Sequence, residues 1–351
     1  METIGSRKPL VMAQAGFKRD IIKVLRQAAQ DSKSVILVYA DANGMIPETN
    51  QREMKIRIGK VISNVFTPAD NRSALADDGA ARSPYASALN KWIAFGTYQA
   101  VLQQSKWLHK NLPSDVYNGL KRARGKNKLI KEAYVSPVWQ PPHKWRDDKG
   151  YTLSDRIWRS DQETQRKIDA ILTVGIRDGR GALKLARDLE SALIPGLSTP
   201  RTRAPYGTDA SYNAMRLART EIAHAYNGAA VVSAQSNPFV EGIDIARSPN
   251  GDPTCPICPE HATIDIDGSR IAEPYPIDEV DEAPFHPHCQ CAVLPVVNPD
   301  TDAVTQDIRN ALSSTDDSAY PENPADAWGF TESLLGQALM GYLLEWIGQH
   351  V

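Results

Sequence analysis

Apolar residues recur at helical spacing through most of the first 236 positions of the chain. Three clear stripes each place their apolar side chains on one face of a helix. They comprise Ile21, Val24, Leu25 and Ala28, then Ile58, Val61, Ile62 and Val65, and then Leu89, Trp92, Ile93 and Gly96. This spacing predicts amphipathic helices that pack through their stripes. A proline-rich passage at 136–142 interrupts the pattern, because proline lacks a backbone donor and disfavours helical geometry in the residue before it.

The helical pattern resumes shortly after residue 150. Gly179 and Gly181 predict a turn, Pro195 ends the next helix, and Asp209 is typical of the start of a long helix that runs to about residue 236. The predicted apolar faces contain Ile168, Ile171, Leu172, Gly175 and Ile176, then Leu185, Ala186, Leu189 and Leu193, and then Ala214, Leu217, Ala218, Ile222, Ala225 and Ala229.

From Pro238 onwards the pattern changes to short β-like segments. These contain Val240, Ile243 and Ile245, then Ile264 and Ile266, and finally Val293, Leu294, Val296 and Val297. Asp267 and Gly268 between two such segments predict a hairpin turn. Pro295 interrupts the last segment, which favours a position at the edge of a sheet.

Together these patterns predict an α+β protein. We expect predominantly α-helical N-terminal and middle regions with a small C-terminal β module. The expected regions are an N-terminal helical region at 1–136, a middle helical region at 150–236, a small Cys/His β module at 237–299 and a C-terminal tail at 300–351. The chain has no apolar run long enough to predict a membrane span.

The tail carries a broad apolar stripe at helical spacing. Its members are Phe330, Leu334, Leu335, Ala338, Leu339, Tyr342, Leu343, Trp346 and Ile347. A stripe of this size must be covered, either by the rest of the same chain or by a groove in a neighbouring subunit.

All four cysteines of the 351-residue chain lie close together in the sequence. Cys255 and Cys258 form one pair, and Cys289 and Cys291, with His286 just before them, form the other. Such thiols and imidazoles can supply the four ligands of a tetrahedral zinc site. We therefore predict a structural zinc ion held by residues from this set, which would join the ends of small strands and close a long loop.

Three other interpretations of the cysteines stay open. They can be buried thiols, a pair of them can form a disulfide, or a cysteine and a histidine can act as nucleophile and base. The sequence shows no leader typical of secretion, which favours a reducing compartment. In such a compartment, clustered cysteines bind metal or stay reduced more often than they form disulfides.

Charge divides the chain into two oppositely charged parts. Residues 1–219 carry a net charge of +16 and residues 220–351 a net charge of −18, while the whole chain carries −2. A basic part of this size attracts polyanions, and the acidic part resists them. The alternative is that solvated helix faces simply differ in sign.

The basic excess is densest between residues 106 and 149, where aromatic residues are interleaved with cations. This mixture suits binding to phosphates or single strands, although such aromatic residues also form cores. The candidate nucleic-acid-binding residues are Lys121, Arg122, Arg124, Lys126, Lys128 and Lys131.

Three motifs between about residues 150 and 297 carry a resemblance to a known family. They are Ala218-Arg219-Thr220-Glu221 on a predicted helix, Asp252 followed by Cys255-Pro-x-Cys258, and Pro284-Phe285-His286-Pro287-x-Cys289-x-Cys291. In this order they resemble the head morphogenesis proteins of tailed bacteriophages, the family related to phage Mu protein F. The family usually has Asn and Arg where this chain has His288 and Gln290.

The resemblance implies a structural role. Such a protein would be a minor capsid protein that associates with the portal, with scaffold proteins or with the major capsid protein during assembly in the host cytoplasm. It would stay in the virion, in the capsid interior or at the portal vertex, where it can contact packaged DNA. Arg219 and Glu221 carry over as family motif positions with no established reaction, so we expect no enzymatic activity. From the local sequence alone, Arg219, Glu221 and His224 are interpreted as a surface ion pair.

Two rival functions remain at this point. A hydrolase would use Cys255 or Cys289 with His286 or His288, and it would also need an orienting group and an oxyanion site. A stand-alone nucleic-acid-binding zinc protein would have to contact its ligand through the basic part of the chain.

Overall fold

The computed structural model describes residues 1–66, 83–116, 153–194, 210–235, 237, 239–249, 255–280, 283–286 and 289–313. The main helices are α1 (Lys8–Val38), α2 (Glu48–Phe66), α3 (Pro84–Asn111), α4 (Leu153–Arg177), α5 (Ala182–Leu193), α6 (Ala210–Gln235), α7 (Cys258–His261) and α8 (Thr301–Ser313). Two strands, β1 (Val240–Ala246) and β2 (Ala292–Val297), form a small antiparallel sheet. The chain is thus a mostly helical α+β protein, as predicted.

The chain divides into two compact units. One takes in Met1–Ala13, Ile93–Pro141 and Thr220–Val351, and the other takes in Gln14–Trp92 and Pro142–Arg219. The first unit contains the sheet and the cysteines, and the secondary-structure elements that the structure describes in the second unit are helices. The sequence predicts four consecutive regions, whereas each of these two units is made of separate segments of the chain. The division into four regions stays a prediction.

Aromatic residues form the centre of the helical unit. The ring of Tyr85 contacts Phe17 and Phe66 at centroid distances of 5.5 and 5.3 Å. Its hydroxyl donates to the carbonyl oxygen of Ala214 at 2.9 Å, so the one polar atom of this buried ring is satisfied. The predicted stripes supply much of the surrounding core, including Ile21, Leu25, Ala28, Ile58, Ile62, Val65 and Leu89.

The predicted turn between α4 and α5 is confirmed. Gly179 has a φ of +67°, a conformation that residues with a Cβ rarely adopt. Beyond the turn, the guanidinium of Arg180 pairs with Asp188 at 2.7 Å. The predicted apolar face of α5 is buried, and its members are Leu185, Ala186, Leu189 and Leu193.

The sheet pairs β1 with β2 over nearly their whole length, with one irregularity next to Val240. The outer edge of β2 is not free, because Ile4 donates to the oxygen of Pro295 at 2.7 Å and Val297 donates to the oxygen of Glu2 at 2.9 Å. Proline has no backbone N–H. In a strand, the N–H position of a residue lies on the same side as its carbonyl, and the carbonyl of Pro295 lies on the side of residues 2–4, so the pairing of β2 with β1 loses no hydrogen bond. The edge predicted from Pro295 is therefore covered by residues 2–4.

The predicted hairpin around Gly268 is shorter than the sequence pattern suggests. Gly268 has a φ of +88°, and Asp265 donates to the oxygen of Ser269 at 2.8 Å, which confirms the turn. Beyond it, Ile264 and Arg270 form only an isolated bridge. Separate backbone hydrogen bonds, such as those from Thr263 to the oxygen of Ile245 at 3.0 Å and from Ile271 to the oxygen of Thr263 at 2.8 Å, therefore hold this segment instead of a continuous ladder.

Candidate metal centre

The first cysteine pair lies in a turn that leads into α7. Cys258 is the first residue of α7, and its backbone N–H donates to Cys255 Sγ at 3.5 Å. Cys258 is 6% exposed, whereas Cys255 is half-buried. The turn brings both sulfur atoms to the same side of the loop, where they contact the same histidine.

The second pair follows His286 and leads into β2. The backbone N–H of Cys289 donates to the oxygen of His286 at 3.0 Å, which ties the histidine to this pair. Cys289 and Cys291 are 1% and 2% exposed, and they pack with Cys258 and Ile245 in one buried cluster. Sulfur atoms therefore form much of the core beside the sheet.

His286 and Cys258 join the two loops. The Nε2 atom of His286 lies 3.1 Å from Cys255 Sγ and 3.0 Å from Cys258 Sγ. The sulfur atoms of Cys258 and Cys289 lie 3.8 Å apart. The structure thus brings all five predicted ligands together, in two groups that share Cys258: Cys255, Cys258 and His286, and Cys258, Cys289 and Cys291.

These distances can be compared with those around a zinc ion. Two thiolates about 2.3 Å from one tetrahedral ion lie about 3.8 Å apart, and a thiolate and an imidazole nitrogen lie about 3.5 Å apart. The distance between Cys258 and Cys289 matches the first value. The two contacts of His286 are shorter than the second and have hydrogen-bond length. The donor set therefore fits a zinc ion, and His286 would shift by about half an ångström to ligate it.

All four cysteines are free thiols. The sulfur atoms of Cys258 and Cys289 lie 3.8 Å apart, well beyond a disulfide bond of about 2.05 Å. The disulfide interpretation is therefore not supported. The interpretations of the cysteines that remain are metal ligands, buried thiols and a reactive cysteine.

The pKa values of the buried thiols are shifted in opposite directions by their contacts with one another. Hydrogen bonds from Cys258 and then Cys291 hold the pKa of Cys289 far below its ordinary value. The pKa of Cys258 is raised, because its thiol donates to Cys289 and because of Cys291 and burial. A hydrogen bond with Cys258 lowers the pKa of Cys291, but Cys289 and burial outweigh it and raise the pKa to about 12. One thiolate is thus already stabilised in the cluster.

The pKa of Cys255 is also lowered, for a different reason. Burial raises it, but the backbone N–H groups of Cys258 and Ile257, the Cys258 thiol and the neighbouring His286 together outweigh that effect. Cys255 therefore favours the thiolate form more than an ordinary cysteine does, and the thiolate is the form that binds a metal or acts as a nucleophile.

Sequence reasoning missed Asn227, which contacts this centre, and Arg7, which interacts with Cys291 through its charge. Asn227 on α6 donates to the carbonyl oxygen of Cys291 at 3.1 Å and accepts from the N–H of Val293 at 3.1 Å. Arg7 donates to the oxygen of Arg247 at 2.6 Å, and its pKa is lowered by burial, against the attraction of Cys291. No local sequence signal could have identified either residue, because each acts across a long separation in the chain.

A buried ionic network holds the strand beside the centre. Asp244 on β1 is fully buried and makes two bonds with the Arg270 guanidinium, at 2.8 and 2.7 Å. Thr263 also donates to Asp244 at 2.7 Å, and it accepts from the N–H of Ile245 at 2.9 Å. Since Ile245 packs against the cysteine cluster, this network fixes the strand on which the cluster rests.

The family motif residues lie on α6, outside the two groups of candidate ligands. Glu221 is 0% exposed, so the surface location inferred from the sequence is wrong for this residue. The cause is that α6 turns the face carrying Glu221 into the interior, together with Ala218 and Ile222. Arg219 and His224 are half-buried.

Several predicted features lie outside the described residues. These are His288, the apolar stripe of the tail at 330–347 and the candidate nucleic-acid-binding residues Lys121, Arg122, Arg124, Lys126, Lys128 and Lys131. Within the described ranges, none of the helices combines the length and the apolar character needed to cross a bilayer.

Compared with known proteins, the chain matches no protein-family model, no curated protein and no solved structure. The resemblance to phage head proteins therefore depends on the motif residues alone.

Proposed function

We propose that this chain is a structural minor capsid protein of a tailed bacteriophage, similar to phage Mu protein F, in which zinc closes the Cys/His module. The observation that carries the proposal is the convergence of Cys255, Cys258, His286, Cys289 and Cys291. The same residues form two of the three motifs that resemble the family. In this role the protein binds the portal, scaffold or major capsid proteins, resides in the virion and needs no catalytic activity.

Zinc is the metal that suits this donor set best. Thiolate and imidazole ligands favour zinc over the hard cations magnesium and calcium, and a closed set of protein ligands is typical of structural sites. Five donors are present for four positions, with Cys258 shared by both groups. The ion would tie the turn before α7 to the segment before β2 and stabilise a small module.

We expect the purified chain to contain about one zinc ion per molecule. Replacing Cys258→Ser should strongly weaken zinc binding and lower the thermal midpoint, because this sulfur belongs to both groups. Elemental analysis and thermal unfolding check both outcomes.

His261→Gln is the matched control for this experiment. His261 lies on the same short helix and stacks on Phe285 at 4.2 Å, but it belongs to neither group of candidate ligands. It should retain the metal. A zinc-free wild-type protein, or a Cys258→Ser variant with full zinc content and unchanged stability, would contradict the zinc proposal.

The capsid role is tested by the proteins that the chain binds. Co-expressed with the portal protein and the other head proteins of its own genome, the tagged chain should co-sediment with portal rings or procapsids. An unrelated protein of equal net charge, carried through the same gradient, controls for nonspecific association. If the chain associates with neither particle, the capsid role is wrong.

One observation favours a second candidate, a cysteine hydrolase. Cys255 lies 3.1 Å from the imidazole of His286, as a nucleophile lies from its base. However, the same nitrogen lies 3.0 Å from Cys258, which favours a shared ligand cluster over a single catalytic pair. The reactivity of Cys255 separates the two cases.

A further inference from the structure

Asn227 connects the long helix α6 to the segment that carries His286, Cys289 and Cys291. Its side chain is 1% exposed. Its Nδ2 atom donates to the carbonyl oxygen of Cys291 at 3.1 Å and to that of Ala283 at 3.4 Å. Its Oδ1 atom accepts from the N–H of Val293 at 3.1 Å.

These three hydrogen bonds hold the segment with His286, Cys289 and Cys291 at both of its ends. Ala283 comes just before His286, and Cys291 and Val293 come at its far end, so one side chain restrains the stretch that contains three of the five candidate ligands. Leaving these buried backbone groups without a partner is unfavourable, which makes this position of the segment the favoured one.

We propose that Asn227 is the positioning residue of the metal centre: by holding the backbone of Cys291, it fixes the second cysteine pair at the geometry that zinc requires. This inference depends on the zinc proposal above. Groups that orient metal ligands from behind contribute to affinity even though they never touch the ion.

The chain offers a matched control in Asn237. It too is a buried asparagine in the same compact unit, at 4% exposed. Its amide donates to Gln104 at 2.8 Å and accepts from the N–H of Phe239 at 3.1 Å. Asn237 therefore resembles Asn227 in burial and in both donating and accepting hydrogen bonds, but its two hydrogen bonds go to residues other than the candidate ligands.

The experiment compares zinc affinity in full-length Asn227→Ala, Asn227→Asp and Asn237→Ala by competition with a chromophoric chelator. Asn227→Ala should bind zinc about 10- to 100-fold more weakly than wild type. Asn227→Asp keeps the acceptor for Val293 but directs an oxygen at two carbonyl oxygens, so it should be weakened as well. Asn237→Ala should bind zinc as wild type does. The sulfur-to-cobalt charge-transfer band of Co²⁺-loaded protein should shift only in the Asn227 variants.

The outcomes separate this inference from the zinc proposal. A wild-type chain that binds no zinc removes the metal centre itself. If wild type binds zinc and the Asn227 variants match Asn237→Ala in affinity and spectrum, the positioning role is wrong. Should Asn227→Ala fail to fold, Asn227→Asp decides by the same comparison with the control.

Discussion

Among the four cysteines, Cys255 alone combines thiolate character with access to solvent. The other three are at most 6% exposed, whereas Cys255 is half-buried and its pKa is lowered despite the opposing effect of burial. Cys289 has a pKa held far lower, but its side chain is 1% exposed, so a reagent cannot reach it. Because reactivity requires both a thiolate and access, Cys255 should be the reactive thiol of the metal-free protein.

We therefore expect iodoacetamide at neutral pH to modify Cys255 about tenfold faster than any other cysteine in zinc-free protein. Zinc should suppress the reaction, because a ligated thiolate is no longer available. Peptide mass spectrometry after short exposures measures both rates, and Cys255→Ser should remove the fast phase.

Two results would change the interpretation of Cys255. Equal rates at all four thiols would mean that the cluster opens as a whole. Rapid modification of Cys255 in zinc-loaded protein would favour the hydrolase, since a nucleophile must stay free of the metal.

At the scale of single elements, two helical glycines have opposite surroundings. A Cβ at Gly16 on α1 would collide with the ring of Trp92 on α3. That ring cannot easily move, because its Nε1 donates to Asp20 at 2.8 Å. Among the described residues, a Cβ at Gly228 on α6 would meet no atom within 4 Å apart from the neighbouring backbone of its own helix. The first glycine permits close helix packing, and the second only adds flexibility to the unfolded chain.

Gly16→Ala should therefore destabilise the protein by about 1–3 kcal/mol, as overpacking does. Gly228→Ala should stabilise it by about 0.5–1 kcal/mol, because alanine is the better helix former. Urea denaturation measures both changes, and each variant is the control for the other. Stabilisation by Gly16→Ala would contradict the packing seen around Gly16, and destabilisation by Gly228→Ala would contradict the open surroundings of Gly228.

Elements of the fold differ in how well the sequence predicts them. The helices follow from their apolar periodicity, and α5 buries its whole predicted face. The segment around Ile264 was predicted as a strand but forms only isolated bridges, because the hydrogen bonds of Thr263 and Asp265 compete with a ladder. Short segments are decided by such nonlocal and side-chain bonds, whereas long periodic ones are decided by their own pattern.

For the molecule as a whole, the separation of charge predicts that DNA binds to the basic part of the chain. If the basic part binds phosphates, affinity should fall steeply as salt rises, with a logarithmic slope of about −0.9 per phosphate neutralised. Alanine at all four of the following positions should flatten that slope by about three to four units: Lys121, Arg122, Arg124 and Lys126. Fluorescence anisotropy with a labelled duplex over a salt series measures the slope.

A second quadruple variant controls for net charge. It removes four exposed cations from the helical unit and changes the charge by the same amount, at Lys23, Arg26, Lys33 and Arg52. If both variants change the slope equally, the binding depends on net charge alone and not on the 121–131 stretch. If neither changes it, the nucleic-acid contact lies elsewhere or does not exist.

The sequence by itself determined the helical periodicity, the clustering of the cysteines and the opposite charge of the two parts, because each is a property of residues close together in the chain. Only the tertiary structure decided that residues 2–4 cover β2, that Glu221 is buried and that Asn227 holds the backbone of Cys291. These features join residues far apart in sequence, and satisfying buried polar groups selects such partners without leaving a local pattern. The chemistry of the candidate ligands could therefore be predicted from the sequence, whereas the residues that position those ligands could not.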